Sequence, residues 1–144
     1  MKKRKIYVSS APENPPEWYW KSGLHDACIE KAEAFEFQID YSKKGEKQYR
    51  NMLSFKINSH YALFDNTVKE IRFYNYKIIS KEILPENIEK MWWMSDSLTQ
   101  IDGKYFLEIN MDDSTEDFTF QIKFENAEVD RTWFFQKYSL FADF

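Results

Sequence analysis

The sequence has very little of the residues from which many chemical sites are built. Its 144 residues include one cysteine, two histidines and three glycines. The single cysteine, Cys28, excludes an internal disulfide bond and suits a reducing compartment such as the cytoplasm. Three scattered glycines cannot form a glycine-rich phosphate loop, so the common nucleotide-binding motifs are excluded.

Long apolar runs are also missing. The N-terminus, MKKRKIYVSS, begins with basic residues as a signal peptide does, but only Ile6–Val8 follow as an apolar run. A secretory signal has a longer apolar core, and a membrane span needs about 20 apolar residues. We therefore expect a cytoplasmic protein that neither carries a signal peptide nor interacts with a membrane.

An excess of positive charge is missing as well. The chain has 20 basic and 24 acidic residues, which leave a net charge of −4 at pH 7. Nucleic-acid binding usually needs a basic surface, so we do not expect nucleic acid as a partner. The charge is compatible with a basic protein partner, and equally with ordinary solubility.

Aromatic residues are what the sequence has in abundance. Five Trp, nine Tyr and 13 Phe make up 19% of the chain. So much apolar bulk excludes a disordered chain, and the length fits a single domain over residues 1–144. We expect residues 1–17, which contain the proline-rich segment APENPP, to form an N-terminal arm, and Trp18–Trp20 to plug the core.

Alternation of apolar and polar residues predicts strands in several segments. The clearest is 104–129, which predicts one antiparallel hairpin with an acidic turn at Asp112–Asp117. Asp102–Gly103 is the strongest two-residue hairpin signal, and it joins residues 98–101 to that hairpin. The other predicted strands are 35–41, a long strand from Arg50 to Phe64, and 71–79, with Lys5–Ser9 as a short edge strand.

Residues 85–94, PENIEKMWWM, are the best helix candidate. Proline suits the first helical turn, and Ile88, Met91 and Trp92 recur at helical spacing. Together with the strands, this helix predicts an α+β fold dominated by antiparallel strands, arranged as a meander or as two packed sheets. We expect about seven to nine strands and one or two helices. The segment after Val129 fits a strand or a helix equally well.

Two parts of the chain resemble each other and predict an internal duplication, with repeat units 24–80 and 94–130. Four residues of the first part, Asp26, Phe35, Phe37 and Ile39, match Asp96, Tyr105, Leu107 and Ile109 at an offset of 70. Further on, Ile71, Phe73, Asn75 and Ile78 match Ile122, Phe124, Asn126 and Val129 at an offset of 51. The smaller offset leaves room for one extra strand in the first copy. An accidental match between aromatic-rich strands is the alternative.

His25 and Asp26 are the candidates for a ligand-binding or functional pair. Adjacent His and Asp are the motif of metal-dependent phosphohydrolases, but those helical enzymes need further histidines and this chain has only His60 besides. We expect instead that Asp26 bonds nearby backbone N–H groups and that His25 is held by a local hydrogen bond. Cys28 has no evident base to activate it, and His25, Cys28 and His60 are too few for a convincing metal site. We therefore predict no catalytic residue, no metal and no cofactor.

Two features predict contact with another protein. Trp92 and Trp93 are adjacent on the predicted helix, so one of them must point away from the face that the other buries. An exposed Trp is a typical contact anchor, although both could instead be buried in the core. The acidic turn adds four carboxylates that would speed the encounter with a basic partner, namely Asp112, Asp113, Glu116 and Asp117.

The sequence LHDACI at 24–29, followed by alternating strands and IKFENAEV at 122–129, resembles small uncharacterised bacterial β-rich domains. Some of those domains are similar to toxin-immunity proteins. The resemblance covers residues 24–129 and implies a cytosolic protein that blocks a toxin enzyme, with no catalytic residue carried over.

The leading functional expectation is therefore a non-enzymatic protein-binding domain whose partner is a basic toxin. One alternative is a small-molecule-binding β domain with an aromatic-lined cavity. A second alternative is an enzyme that uses His25 and Asp26. The sequence leaves the oligomeric state open.

Overall fold

The structure is a computed structural model that describes Pro12 and residues 14–43, 45–80 and 88–132. Over these ranges the chain forms one antiparallel sheet of eight strands. In chain order the strands are β1 (Cys28–Glu36), β2 (Asn51–Asn58), β3 (Val68–Tyr74), β4 (Lys77–Ile78), β5 (Trp92–Ile101), β6 (Lys104–Asp112), β7 (Asp117–Phe124) and β8 (Asn126–Arg131). The predicted predominance of antiparallel strands is confirmed.

The helical part of the predicted α+β class is wrong for the described residues, which contain no helix. Residues 85–87 of the predicted helix lie outside the described ranges, 88–90 form a turn, and β5 begins at Trp92. The backbone of this segment bonds to β1 instead: the Met91 carbonyl accepts from the N–H of Ile29 at 2.9 Å. A turn in which Lys90 has a φ of 68° buries the side chains of both Ile88 and Met91. Two buried residues three positions apart are also typical of a helix, so the turn and a helix give the same sequence pattern.

The sheet consists of two three-stranded meanders. Its order is β4-β7-β6-β5-β1-β2-β3-β8, so β1, β2 and β3 are neighbours, as are β5, β6 and β7. The first strands of the two meanders meet where Cys28 lies opposite Trp92. This first seam is short, and two of its backbone bonds run from Asp26 N to Trp93 O at 2.8 Å and from Trp93 N to Ala27 O at 2.7 Å.

A second seam joins the last strands of the two meanders. Tyr74 of β3 pairs with Asn126 of β8, and Lys77 of β4 pairs with Lys123 of β7, so the register continues across both bends. Strands β3 and β4 are therefore two parts of one bent segment, and so are β7 and β8. At the bend, the side-chain amide of Asn75 donates to the carboxylate of Glu125 at 2.8 Å, and Asn75 has a φ of 51°. Each of the six resulting segments has a neighbour on both sides, so the sheet returns on itself.

The predicted hairpin turns are confirmed. Asp102 and Gly103 have φ values of 52° and 75°, which is the conformation that a two-residue hairpin turn favours. They join Ile101 to Lys104, which lie opposite each other at the ends of β5 and β6. The acidic turn joins β6 to β7 as predicted, but the segment 104–129 does not end as one hairpin, because β8 pairs with β3.

Two predicted strands have other bounds. The alternation over 35–41 lies mostly beyond β1, which ends at Glu36, and Phe35 and Phe37 are exposed rather than buried. The long strand predicted from Arg50 to Phe64 stops at Asn58, because the N–H of Ala62 bonds back to the carbonyl of Ser59 at 2.9 Å and closes a turn.

The core lies between the two meanders and is filled by aromatic rings. Phe55 and Phe73 of the first meander meet Phe120 and Phe124 of the second, with ring centroids 5.7 Å apart for Phe55–Phe120 and 4.9 Å for Phe73–Phe124. Such pairs contribute about 0.5–1.5 kcal/mol each beyond the burial of their surface. The N-terminal segment closes the core as predicted, with Tyr19 and Trp20 buried.

The internal duplication stays a prediction. The residues matched at an offset of 51 occupy comparable places, since Ile71 and Phe73 in β3 and Ile122 and Phe124 in β7 are all buried before a bend. At the offset of 70 the places differ, since Phe37 follows β1 whereas its match lies within β6.

The predicted edge strand at Lys5–Ser9 and the segment after residue 132 lie outside the described residues. Most of the expected N-terminal arm does too. Within the described ranges, no helix has the length and apolar character to cross a membrane.

Candidate functional site

One of the two candidate tryptophans and two of the acidic candidates lie in a single row across the sheet. Residues directly opposite each other in an antiparallel pair place their side chains on the same side. Cys28 lies opposite Trp92, Trp92 opposite Asp112, and Asp112 opposite Asp117. These four residues, which we call the Trp92 row, therefore cross β1, β5, β6 and β7 on the outer side of the sheet.

Strand alternation sends the two adjacent tryptophans to opposite sides of β5. Trp92 is 37% exposed, whereas Trp93 is 0% exposed. Trp93 packs edge-on against Trp20 with ring centroids 5.2 Å apart, and its indole N–H donates to Asp96 at 3.0 Å. Trp93 is thus a core residue, and Trp92 is the one that a partner could contact.

The acidic turn is held in shape by its own hydrogen bonds. The carboxylate of Asp113 accepts from the hydroxyl of Thr115 at 2.7 Å, from its N–H at 2.9 Å, and from the N–H of Glu116 at 2.8 Å. These bonds, chiefly the one from the Thr115 side chain, hold the pKa of Asp113 below its usual range. Asp113 is consequently ionised at neutral pH.

The acidic turn carries four carboxylates between the end of β6 and the start of β7. Within the described part of the chain, none of Asp112, Asp113, Glu116 and Asp117 forms an ion pair. Asp113 and Glu116 are exposed at the tip, and Asp112 and Asp117 are half-buried beside it. Trp92 therefore shares its row with two carboxylates, Asp112 and Asp117, that pair with no cation of the described residues.

His25 and Asp26 border the Trp92 row on its β1 side. The ring nitrogen Nδ1 of His25 lies 2.6 Å from the carbonyl oxygen of Met94, and the N–H of Asp26 donates to the carbonyl of Trp93 at 2.8 Å. Because a carbonyl can only accept, Nδ1 carries a proton and orients the ring. The other nitrogen, Nε2, lies 3.6 Å from a carboxylate oxygen of Asp26. The bond that holds His25 thus reaches 69 residues along the chain instead of being local.

The chemistry available around His25 is limited in the described ranges. No group of three or more His, Cys, Asp or Glu side chains gathers there in a way that could hold a metal ion. Burial, and then the charge of Glu30, raises the pKa of the Cys28 thiol. A raised pKa leaves less thiolate at neutral pH, so Cys28 is a poor nucleophile.

In the sequence, Asp96 stands out only as a repeat match, and no local signal indicates its surroundings. Asp96 is 1% exposed, and its carboxylate accepts from the hydroxyl of Tyr19 and from the indole N–H groups of Trp20 at 2.7 Å and Trp93 at 3.0 Å. Burial raises the pKa of Asp96, although these three bonds favour the ionised form. The cluster ties the N-terminal segment to β5.

No protein-family model matches the chain, and comparisons with curated proteins and with solved structures found no match either.

Proposed function

We propose that the chain is a non-enzymatic protein-binding domain that binds a basic protein through the Trp92 row and the acidic turn. The observation that carries the proposal is the row itself. It places a partly exposed indole directly opposite Asp112, next to carboxylates that no described cation neutralises.

Trp92 and the carboxylates would contribute to binding in different ways. A Trp at the centre of an interface is often one of the few residues whose replacement with alanine costs about 2 kcal/mol or more. The carboxylates act at longer range, because complementary charge mainly accelerates the encounter and rejects partners of the wrong sign. Salt weakens the second effect much more than the first.

A basic toxin enzyme is the partner class that suits both this surface and the resemblance to immunity proteins. Binding at a basic active-site cleft would block such an enzyme without any chemistry by the binder. This function requires no catalytic residue, metal or cofactor in the chain.

Site-specific crosslinking in the producing cells tests the proposal. A photoreactive phenylalanine analogue replaces Trp92 in one variant and Tyr41 in a matched control, since Tyr41 is 84% exposed in the loop after β1. We expect a covalent adduct with one basic protein from position 92 only. Replacing the four acidic residues by their amides should reduce the yield of this adduct strongly. Equal adducts from both positions, or an adduct indifferent to the amides, would contradict the proposal.

The enzymatic alternative has its own test. His25→Ala removes the ring that Met94 orients, so an enzyme that depends on His25 would lose its cellular effect while still binding its target. A His25→Ala protein that folds normally and keeps every phenotype would exclude this alternative. The other alternative, an aromatic-lined cavity, has less support, because Phe55, Phe73, Phe120 and Phe124 pack against one another.

A further inference from the structure

A second surface lies at the opposite end of β5, where the β5–β6 hairpin turn meets β7. It is a groove of ≈ 460 Å³ lined by Ile101, Asp102, Lys104, Tyr105, Phe106 and Lys123. Along β5 it is nine residues from Trp92, or about 30 Å at roughly 3.3 Å per residue, so the two surfaces are separate. Its size falls within the range of roughly 300–1,000 Å³ that is usual for small-molecule sites.

The floor of the groove is apolar and is formed by the outer side of β5 and β6. Phe106 lies directly opposite Lys123 and points to this side, whereas the ring of its neighbour Tyr105 faces the core and stacks on Phe124 with centroids 5.5 Å apart. The tight turn at Asp102–Gly103 holds Ile101 at the rim, where it is 63% exposed. Because the strands hold this apolar surface in place before binding, less conformational entropy is lost when a ligand binds.

The walls of the groove carry positive charge. Lys104 precedes Phe106 by two residues on β6, Lys123 lies opposite Phe106 on β7, and Lys77 lies directly opposite Lys123 on β4. None of the three lysines forms an ion pair with another residue in the described ranges. Like charges directly opposite each other destabilise a sheet, and a bound anion would relieve that repulsion. This concentration of ammonium groups contrasts with a chain whose net charge is −4.

We propose that this groove binds a small organic anion that has an apolar body and a carboxylate. The apolar body packs on Phe106 and Ile101, and the carboxylate lies between the ammonium groups of Lys104 and Lys123. Asp102 at the rim disfavours anions with several charges, since its carboxylate repels them. The proposal is independent of the Trp92 row, so either can fail without the other.

Calorimetric titration of the full chain with matched amphiphiles tests this site. Decanoate and decylammonium share a chain length and differ in the sign of the head group. We expect saturable 1:1 binding of decanoate that is at least tenfold tighter than that of decylammonium. 2-Naphthoate shows whether an aryl body is preferred to an acyl body. Equal affinities for decanoate and decylammonium, or no saturable binding of either carboxylate, would overturn the proposal.

Variants and chemical-shift mapping locate the site. Lys104→Gln combined with Lys123→Gln should weaken decanoate binding at least tenfold, whereas Lys43→Gln in the loop after β1 should leave it unchanged. In the unaltered chain, decanoate should shift the amide signals of residues 101–106 and of Lys123. Shifts spread over the whole sheet, or binding that survives in the double variant, would show that decanoate merely coats apolar surface.

Discussion

The indole of Trp92 and the carboxylate of Asp112 lie directly opposite each other across β5 and β6, on the outer side of the sheet. One residue further on, the indole of Trp93 points inward to the core. Two identical side chains, adjacent in sequence, therefore face different environments. Their separate replacement distinguishes the stability of the fold from the binding function.

Replacing Trp93 by alanine should cost about 3–5 kcal/mol in the free energy of unfolding, because the change leaves a cavity in the core. Trp92→Ala should cost clearly less, about 1–2 kcal/mol, since the ring is 37% exposed on the outer side of the sheet and its loss opens no closed cavity. Urea denaturation followed by circular dichroism measures both values. Similar losses in the two variants would mean that Trp92 is as much a core residue as Trp93.

Neutralising the acidic turn should slow binding of the partner without unfolding the protein. The combined change Asp112→Asn and Asp117→Asn should lower the association rate constant about tenfold at low ionic strength, because steering depends on net charge near the contact. Stopped-flow measurements over a range of salt concentrations should also give a shallower salt dependence. Glu46→Gln, an exposed acid in the loop before β2, is the control and should change neither quantity. An unchanged rate in the double variant would assign the contact to another surface.

The antiparallel strands and their turns were predictable because those signals are local. The pair Asp102–Gly103 and the alternation at 104–124 depend only on neighbouring residues. The seam between β1 and β5 was not predictable, since it joins residues more than 60 positions apart. The pairing with β1 cannot be seen in the sequence, so the apolar spacing of residues 85–94 indicates a helix there.

The buried position of Asp96 was hidden by a local irregularity. The register shifts between Trp93 and Ser95, so Asp96 faces inward on the same side as Trp93. Simple alternation places an Asp three residues after an inward Trp on the outer side. The Trp92 row was hidden for a related reason: its members belong to four strands, and only the register shows that they share one side.

Asp96 should tolerate an amide but not an apolar side chain. In Asp96→Asn, one oxygen can still accept from Trp20 and Trp93 while the amide donates to the hydroxyl of Tyr19, so we expect a loss of about 1 kcal/mol. Asp96→Leu leaves the buried indole N–H groups of Trp20 and Trp93 without their acceptor, at a cost of about 1–3 kcal/mol each, so this variant should be strongly destabilised. Chemical denaturation compares the two variants. Equal destabilisation by Asn and Leu would show that the hydrogen bonds are unimportant.

The pH dependence of stability gives a second measurement on Asp96. Its pKa is raised in the folded state from an ordinary value of 3.8, so the folded protein binds this proton more tightly than the unfolded chain does. The free energy of unfolding of the unaltered protein, relative to that of Asp96→Asn, should therefore be highest near pH 3.8 and below. It should fall as the pH rises through the raised pKa of Asp96. A difference that is constant with pH would contradict a raised pKa.

The contribution of Asp65 to the stability of the fold should change with pH in the opposite direction. Burial alone would raise its pKa, but hydrogen bonds from Thr67 and from Arg131 outweigh burial and hold the pKa below 3.8. Its carboxylate therefore stabilises the fold above pH 3.8, and this contribution is lost as the pH falls further. Asp65→Asn should cost about 1–2 kcal/mol at pH 7 and less at acid pH, as measured by denaturation at several pH values. A cost that grows as the pH falls would be inconsistent with this ion pair.

Contacts within each meander join residues that are close in the sequence, whereas contacts at the two seams join residues that are far apart in the sequence. Within a meander, each strand pairs with the next, whereas the seams join Cys28 to Trp92 and Tyr74 to Asn126. Closing such long loops loses chain entropy before any contact compensates for it, so proteins with a high contact order fold slowly. The hairpins should therefore form within microseconds to milliseconds, and docking of the halves should limit the folding rate. The residues next to Trp92 would then be among the last to become ordered.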